Sequence, residues 1–150
     1  MKPNWKTVTL MGANVAYSFL SNKPLFIGHF QRLFGAQIQS YLERLTKHKK
    51  PKLILACMLY HIDENPDAPS WAGSMLKILR YNSKPQIMQN LIKTIFETAT
   101  KKIKIEGCKV VPVPMFKVLD GKDTNDYDNR VEPSVQGGEK LGKFFWNIIK

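Results

Sequence analysis

The chain has 150 residues, 43% of them hydrophobic and 23% charged, which is typical of one globular domain with a core of its own. No apolar run approaches the roughly 20 residues that a transmembrane helix needs, and no signal-peptide pattern precedes the first predicted strand. The formal net charge of +11 favours anionic partners such as RNA, acidic lipid headgroups or an acidic subunit, although such a surface can also simply keep a protein in solution.

The first part of the sequence predicts a strand, a helix and a second strand. A short β-rich run begins at Thr7 and ends at Met11, before Gly12. Residues 25–45 repeat apolar side chains at the spacing of a helix packed on a core. Residues 52–60 are apolar after the first lysine, which predicts a strand covered on both faces, as in parallel sheets.

The second part continues the alternation. Residues 62–84 are rich in Pro, Asp, Asn, Ser and Gly, which predicts a long loop with a short helix near residues 74–79. A helix is predicted from Pro85, which suits a first helical turn, with Gly107 as its stop. The remaining predicted elements are a strand over 109–116, a loop over 117–133, and a helix from about Val135 that Ser134 caps.

The order β-α-β-α-β-α predicts a single α/β domain over residues 1–150, with parallel strands and helices on both faces of the sheet. Ligands of such folds bind where the carboxyl ends of the strands emerge. Three segments should emerge there, which are residues 12–14, 60–65 and 117–133. Because these segments hold most of the acidic residues, the acids should gather at the end of the sheet where a site would lie.

The two cysteines carry information about the compartment. Cys57 lies inside an apolar strand run and Cys108 at the entrance to another. This placement predicts free core thiols rather than a disulfide. We therefore expect an intracellular, reducing compartment, either the cytoplasm or an organelle matrix such as that of the mitochondrion.

Basic residues concentrate in two runs. The first contains Lys47, Lys49, Lys50 and Lys52, and the second contains Lys101, Lys102 and Lys104. Such runs attract RNA or anionic lipid through their charge. A solvated face without a partner is the alternative interpretation.

The end of the chain carries the most specific pattern. After the predicted strand and the acidic loop, Arg130-Val131-Glu132-Pro133-Ser134 opens onto Gly137-Gly138 and an apolar helix. This ending resembles that of an SGNH (GDSL-type) hydrolase, in which an Asp-x-x-His-Pro-Ser block precedes the final helix. Residues 63–65, 70–72 and 118–123 add to a likeness with an uncharacterised protist and algal branch of that family. The resemblance implies a three-layer, flavodoxin-like parallel sheet, truncated to its C-terminal half: three strands with flanking helices, lacking the first βαβ part.

The resemblance also implies where catalytic groups would stand. Glu132 occupies the place of the family's His and Asn129 that of its Asp, while Gly12 and Asn14 match oxyanion positions. The family's Gly-Asp-Ser nucleophile has no counterpart, and no serine lies in a strand-to-helix nucleophile turn. From its position at the end of the middle strand, His61 is an alternative base, although a partly buried histidine bonded to a loop is the simpler interpretation. The acids of this edge could converge on Mg²⁺, but acidic loops are usually solvated or paired with lysines, and no cofactor is predicted.

The family orders its five strands 2-1-3-4-5, so the strand between Thr7 and Met11 should have another strand beside it. A protein partner, a second copy or a longer chain could supply that neighbour. We therefore predict a non-catalytic, SGNH-like subunit that acts by protein association in a larger assembly, organellar or ribonucleoprotein in kind. The alternatives are part of a serine esterase or lipase whose nucleophile lies elsewhere, and an RNA-contacting basic domain.

Overall fold

A computed structural model describes residues 27–150. The strand predicted between Thr7 and Met11, and the candidate oxyanion residues Gly12 and Asn14, lie outside the described residues. Residues 27–150 form a mixed α/β structure with a short parallel sheet and surrounding helices. Within this range, no helix is both long and apolar enough to cross a membrane.

The described part begins with a continuous helical stretch. It consists of α1 (Ile27–Gln31), a π-helical segment (Arg32–Gln37) and α2 (Ile38–Leu45). The helix predicted over residues 25–45 is therefore confirmed from Ile27 onward. Gly35 explains how closely this stretch approaches its neighbour, because a Cβ there would lie 3.2 Å from the Cβ of Ala99.

Two strands, β1 (Leu53–Met58) and β2 (Lys109–Pro114), pair in parallel. Their register joins Leu53 to Lys109 and Met58 to Pro114. The parallel pairing of the two apolar runs was predicted from the sequence and is confirmed. The predicted cover on both faces of β1 is wrong at Cys57, which is exposed although its neighbours Ala56 and Met58 are buried. Both cysteines are free, as predicted, but Cys57 is not a core thiol.

Three helices follow β1 in the chain: α3 (Gly73–Ile78), α4 (Pro85–Thr98) and α5 (Val135–Ile149). The short α3 interrupts the predicted loop near the expected place, and Pro85 opens α4 at its first turn. Gly107 does not stop α4, because the helix already ends at Thr98 and a 3₁₀ turn (Thr100–Lys102) follows. Gly107 instead lies in the turn before β2, where its φ of +75° favours glycine.

Among residues 27–150, the buried apolar side chains include two packed clusters. The larger one packs α4 against the end of β1 and against Phe30 and Phe34 of the first helical stretch. The smaller one joins Leu141 of α5 to Leu119 and Tyr127, which follow β2. The segments that follow both strands are therefore held from two sides, by α4 and by α5.

Candidate functional site at the carboxyl edge of the sheet

The segments that follow β1 and β2 lie against each other, as the parallel topology predicts. The amide of His61 donates to the carbonyl of Leu119 (3.0 Å), and the amide of Glu64 donates to that of Gly121 (2.8 Å). The amide of Asp63 donates to the carbonyl of Arg130 (2.9 Å). Two of the three segments expected at this edge therefore meet, and the third, residues 12–14, is outside the described residues.

Gly121 and Tyr127 fix this meeting point. Gly121 has a φ of +89°, and a Cβ there would lie 2.5 Å from the carbonyl oxygen of Ile62. The Tyr127 hydroxyl donates to the carbonyl of His61 (2.7 Å) and accepts from the amide of Gly121 (2.8 Å). Burial raises the pKa of Tyr127, so this hydroxyl keeps the proton that it donates. Only glycine at 121 lets the two backbones approach so closely.

Arg130 is the main residue that sequence reasoning missed. Its side chain is 2% exposed, with Nε and Nη2 donating to the carbonyl of Asp63 (3.3 and 3.1 Å) and Nη1 donating to Oδ1 of Asn82 (3.0 Å). The arginine thus ties the turn after β2 to the loop after β1. No sequence signal distinguishes it from a solvated arginine, because it stands in a polar stretch with no apolar periodicity.

Asp63 is equally buried, with 1% exposure. Its Oδ1 accepts from the amide of Asn65 (2.9 Å) and from the hydroxyl of Thr124 (3.2 Å). Its Oδ2 has no hydrogen-bond partner among residues 27–150. Asp63 therefore acts mainly as a local organiser of the loop, with one oxygen left unsatisfied by the described chain.

His61 is 3% exposed and its ring stacks on that of Phe116 with centroids 5.5 Å apart. Nδ1 lies 3.2 Å from the carbonyl oxygen of Asp120. Since a carbonyl can only accept, Nδ1 carries the proton in the neutral ring and Nε2 is left as an acceptor. Nε2 is buried and has no partner within the described range. Burial is the largest cause that lowers the pKa of His61, so the ring stays neutral at pH 7.

Glu132 and Asn129 lie on one small hairpin, formed by β3 (Tyr127–Asp128) and β4 (Glu132–Pro133). Asn129 is exposed in its turn with a φ of +50°. Glu132 is also exposed, and its Oε1 accepts from the indole Nε1 of Trp71 (2.8 Å). The structure thus brings these two predicted residues together but gives neither a hydrogen bond to His61.

Ser134 caps α5, as predicted. Its hydroxyl accepts from the amide of Gly137 (3.2 Å) and lies 2.5 Å from the carbonyl oxygen of Asn125, to which it donates. The nearby acids are also engaged, because Lys140 forms ion pairs with Asp126 (2.6 Å) and Asp123 (3.3 Å). In the part of the chain that the structure describes, no group of three or more His, Cys, Asp or Glu side chains could hold a metal ion.

The two basic runs were also predicted as a site. Their lysines are exposed: Lys47, Lys49, Lys50, Lys52, Lys101, Lys102 and Lys104. The carbonyl of Lys52 accepts from the amide of Lys109 (3.3 Å), and a Cβ at Gly107 would lie 3.8 Å from Cγ of Lys50. The segment that follows the second run is therefore packed beside the first run, at the amino ends of β1 and β2 and away from His61.

Comparison with known proteins does not identify the chain: no family model, no curated protein and no solved structure matches it. The relationship to SGNH hydrolases therefore stays a prediction. The roles of Glu132, Asn129, Gly12 and Asn14 stay predictions with it.

The lowered pKa of His61 predicts a loss of stability in mild acid. Between the lowered pKa of the folded state and the ordinary value of 6.5, the unfolded chain binds more protons than the folded chain. Stability is therefore fully present above this window and falls as the pH drops through it. Urea unfolding at pH 7.5 and 5.5, monitored by circular dichroism, measures the loss.

His61→Gln should reduce that pH dependence, whereas His48→Gln, at an exposed position, should leave it as in the wild type. Equal losses in His61→Gln and the wild type would show that His61 is not the responsible group.

Proposed function

We propose that this chain is a non-catalytic subunit, related to SGNH hydrolases, that joins a larger assembly by protein association. The observation that carries the proposal is the uncovered apolar face of α5. Val135, Trp146 and Ile149 are 92%, 60% and 57% exposed. Trp146 and Ile149 follow Val135 by 11 and 14 residues. This spacing places all three side chains on one side of a helix.

Two glycines continue this face between the large side chains. Gly138 and Gly142 lie on the same side of α5, and a Cβ at either position would meet nothing within 4 Å. The surface is therefore open along the whole helix. Large apolar side chains exposed on one side of a helix are typical of protein interaction sites, and here the charged Glu139 and Lys150 lie at the margin of that side.

The hairpin residues support a non-catalytic role. The Glu132 carboxylate is exposed and accepts from the indole of Trp71, and no serine hydroxyl of residues 27–150 is hydrogen-bonded to it. The Ser134 hydroxyl is held by its capping bonds. We expect no labelling of the chain by a fluorophosphonate probe under conditions that label a control serine hydrolase. Labelling of a serine in the native complex would favour the esterase alternative instead.

The sheet supports the structural side of the proposal. β1 and β2 pair in parallel with α4 between them in the chain, which is the local arrangement of a flavodoxin-like sheet. In the proposed truncated form of that fold, the strand between Thr7 and Met11 would extend the sheet, and the partner would complete it beyond that strand.

The test is the native mass of the chain purified from its own cells, with every co-purifying polypeptide identified. We expect a defined heteromeric complex that Trp146→Lys disrupts. Asn147→Lys is the matched control, because it adds the same charge at the next exposed position on a different side of α5. A native mass equal to that of the 17.2 kDa monomer would overturn the proposal.

RNA contact is the second candidate, favoured by the side-by-side placement of Lys50 and the turn before β2. Binding of single-stranded RNA should then weaken as salt rises, with a logarithmic slope of about −0.7 for each phosphate contacted. Replacing Lys49, Lys50 and Lys104 by serine should flatten that slope more than replacing Lys77, Lys84 and Lys143. Equal slopes for the two triple variants would count against a site at these lysines.

A further inference from the structure

A cleft of about 470 Å³ opens at the carboxyl edge of the sheet. His61 and Phe116 belong to its wall, and its lining also includes Lys93, Lys117 and Lys122. The three lysines come from three separate segments: α4, the 3₁₀ turn after β2 (Met115–Lys117) and the following loop. The fold therefore gathers positive charge here that is dispersed in the sequence.

The charge of this cleft is not balanced by its own acids. None of the three lysines forms an ion pair with another residue of the described range. Glu97 borders the cleft but is paired with Lys101 (2.8 Å), and Oδ1 of Asp120 accepts from the backbone amide of Lys122 (3.1 Å). Three lysines against two carboxylates leave the lining of the cleft with a net positive charge, which favours an anion.

The wall of the cleft offers a second, independent feature. His61 is almost fully buried, and its Nε2 is an acceptor without a partner among residues 27–150. An unsatisfied buried acceptor costs free energy. Because Nε2 has almost no accessible surface, a ligand hydroxyl recovers that free energy only when the wall of the cleft opens toward it. Phe116, stacked on the same ring, gives the wall an apolar surface beside that acceptor.

Position and size agree with a ligand site. The cleft lies where parallel strands end, which is where α/β folds bind ligands, and its volume lies within the usual range of small-molecule pockets. Three ammonium groups match a group with several oxygens and more than one negative charge, which a phosphate monoester provides and a carboxylate does not.

We propose that this cleft binds a small phosphorylated compound that also carries hydroxyl groups. The phosphate contacts the ammonium groups of Lys93, Lys117 and Lys122, and a ligand hydroxyl donates to Nε2 of His61. This inference is independent of the proposed assembly role, because no residue of α5 lines the cleft and the ligand needs no protein partner.

The test is a nuclear magnetic resonance titration of the isotope-labelled full chain with ribose 5-phosphate, ribose and inorganic phosphate. Ribose 5-phosphate should shift the ring signals of His61 and the backbone signals of Lys93, Lys117 and Lys122. Ribose alone should shift none of them, and inorganic phosphate should bind more weakly than ribose 5-phosphate. Unchanged His61 signals at millimolar ribose 5-phosphate, or equal affinity for inorganic phosphate, would overturn the proposal.

Matched variants separate a built site from general attraction to a basic protein. Lys93→Met with Lys122→Met should weaken ribose 5-phosphate binding at least about tenfold, since two charge-assisted contacts are lost. Lys47→Met with Lys49→Met removes the same charge at the other end of the sheet and should change the affinity less than about twofold. Equal weakening by both pairs would show that the affinity reflects net charge and no site.

Discussion

Replacing Arg130 by alanine is expected to lower the free energy of unfolding by about 3 kcal/mol. The buried guanidinium donates three hydrogen bonds. Two of them go to the carbonyl of Asp63, at 3.1 and 3.3 Å, and the third goes to the side chain of Asn82. Alanine leaves that buried carbonyl without a donor and opens a cavity where the side chain was. Urea unfolding of the variant and the wild type at pH 7.5 measures the difference.

Arg80→Ala is the matched control for this experiment. The backbone of Arg80 is also in the left-handed conformation, with a φ of +56° against +69° for Arg130. The side chain of Arg80, however, is exposed. Both substitutions therefore change the same residue type in a similar backbone conformation, and only one removes buried contacts. We expect less than about 0.5 kcal/mol for Arg80→Ala. Similar losses in the two variants would mean that the buried bonds of Arg130 contribute little.

Replacing Gly137 by alanine should destabilise the fold by about 3 kcal/mol, because its Cβ would overlap the backbone of Asp126. The carbonyl carbon of Asp126 would lie only 3.1 Å from that Cβ, and the carbonyl oxygen closer still. This oxygen also accepts from the amide of Ser134 (2.9 Å), so it cannot move away without breaking the entry into α5. Thermal and urea unfolding should both report the loss.

The neighbouring glycine gives a control of opposite sign. A Cβ at Gly138 would meet nothing within 4 Å, so Gly138→Ala should stabilise α5 by about 0.5–1 kcal/mol through the higher helix propensity of alanine. The two substitutions add the same methyl group at adjacent helical positions. Stabilisation by both would show that α5 does not begin against Asp126.

The strands and long helices could be predicted because their signals are local. β1 and β2 are continuous apolar runs, α4 repeats its apolar residues at helical spacing, and Pro85 and Ser134 mark helix starts through chemistry that needs no tertiary context. Gly107 was misassigned because a glycine can end a helix or make a separate turn, and the sequence does not distinguish the two.

The packing that holds the candidate site could not be predicted in the same way. Arg130, Asp63 and Tyr127 are polar or amphipathic residues whose partners lie 61 to 67 residues away in the chain. Their burial depends on the meeting of two loops, which leaves no periodic pattern. The meeting of the two loops could be predicted from the topology, because parallel strands end at the same edge of a sheet. His61 follows one of these strands and was therefore a candidate. The three lysines of the cleft come from separate segments, and no pattern in the sequence connects them.

The exposed thiol of Cys57 makes one side of β1 accessible to chemical modification. Partial burial raises the pKa of its thiol, so at neutral pH the group is largely protonated and reacts slowly with alkylating reagents. The side chain is nevertheless exposed on a strand whose neighbouring residues are buried. Slow but measurable alkylation at this one position therefore reports how open that side of the sheet is, and a molecule that covers β1 would protect the thiol without altering its chemistry.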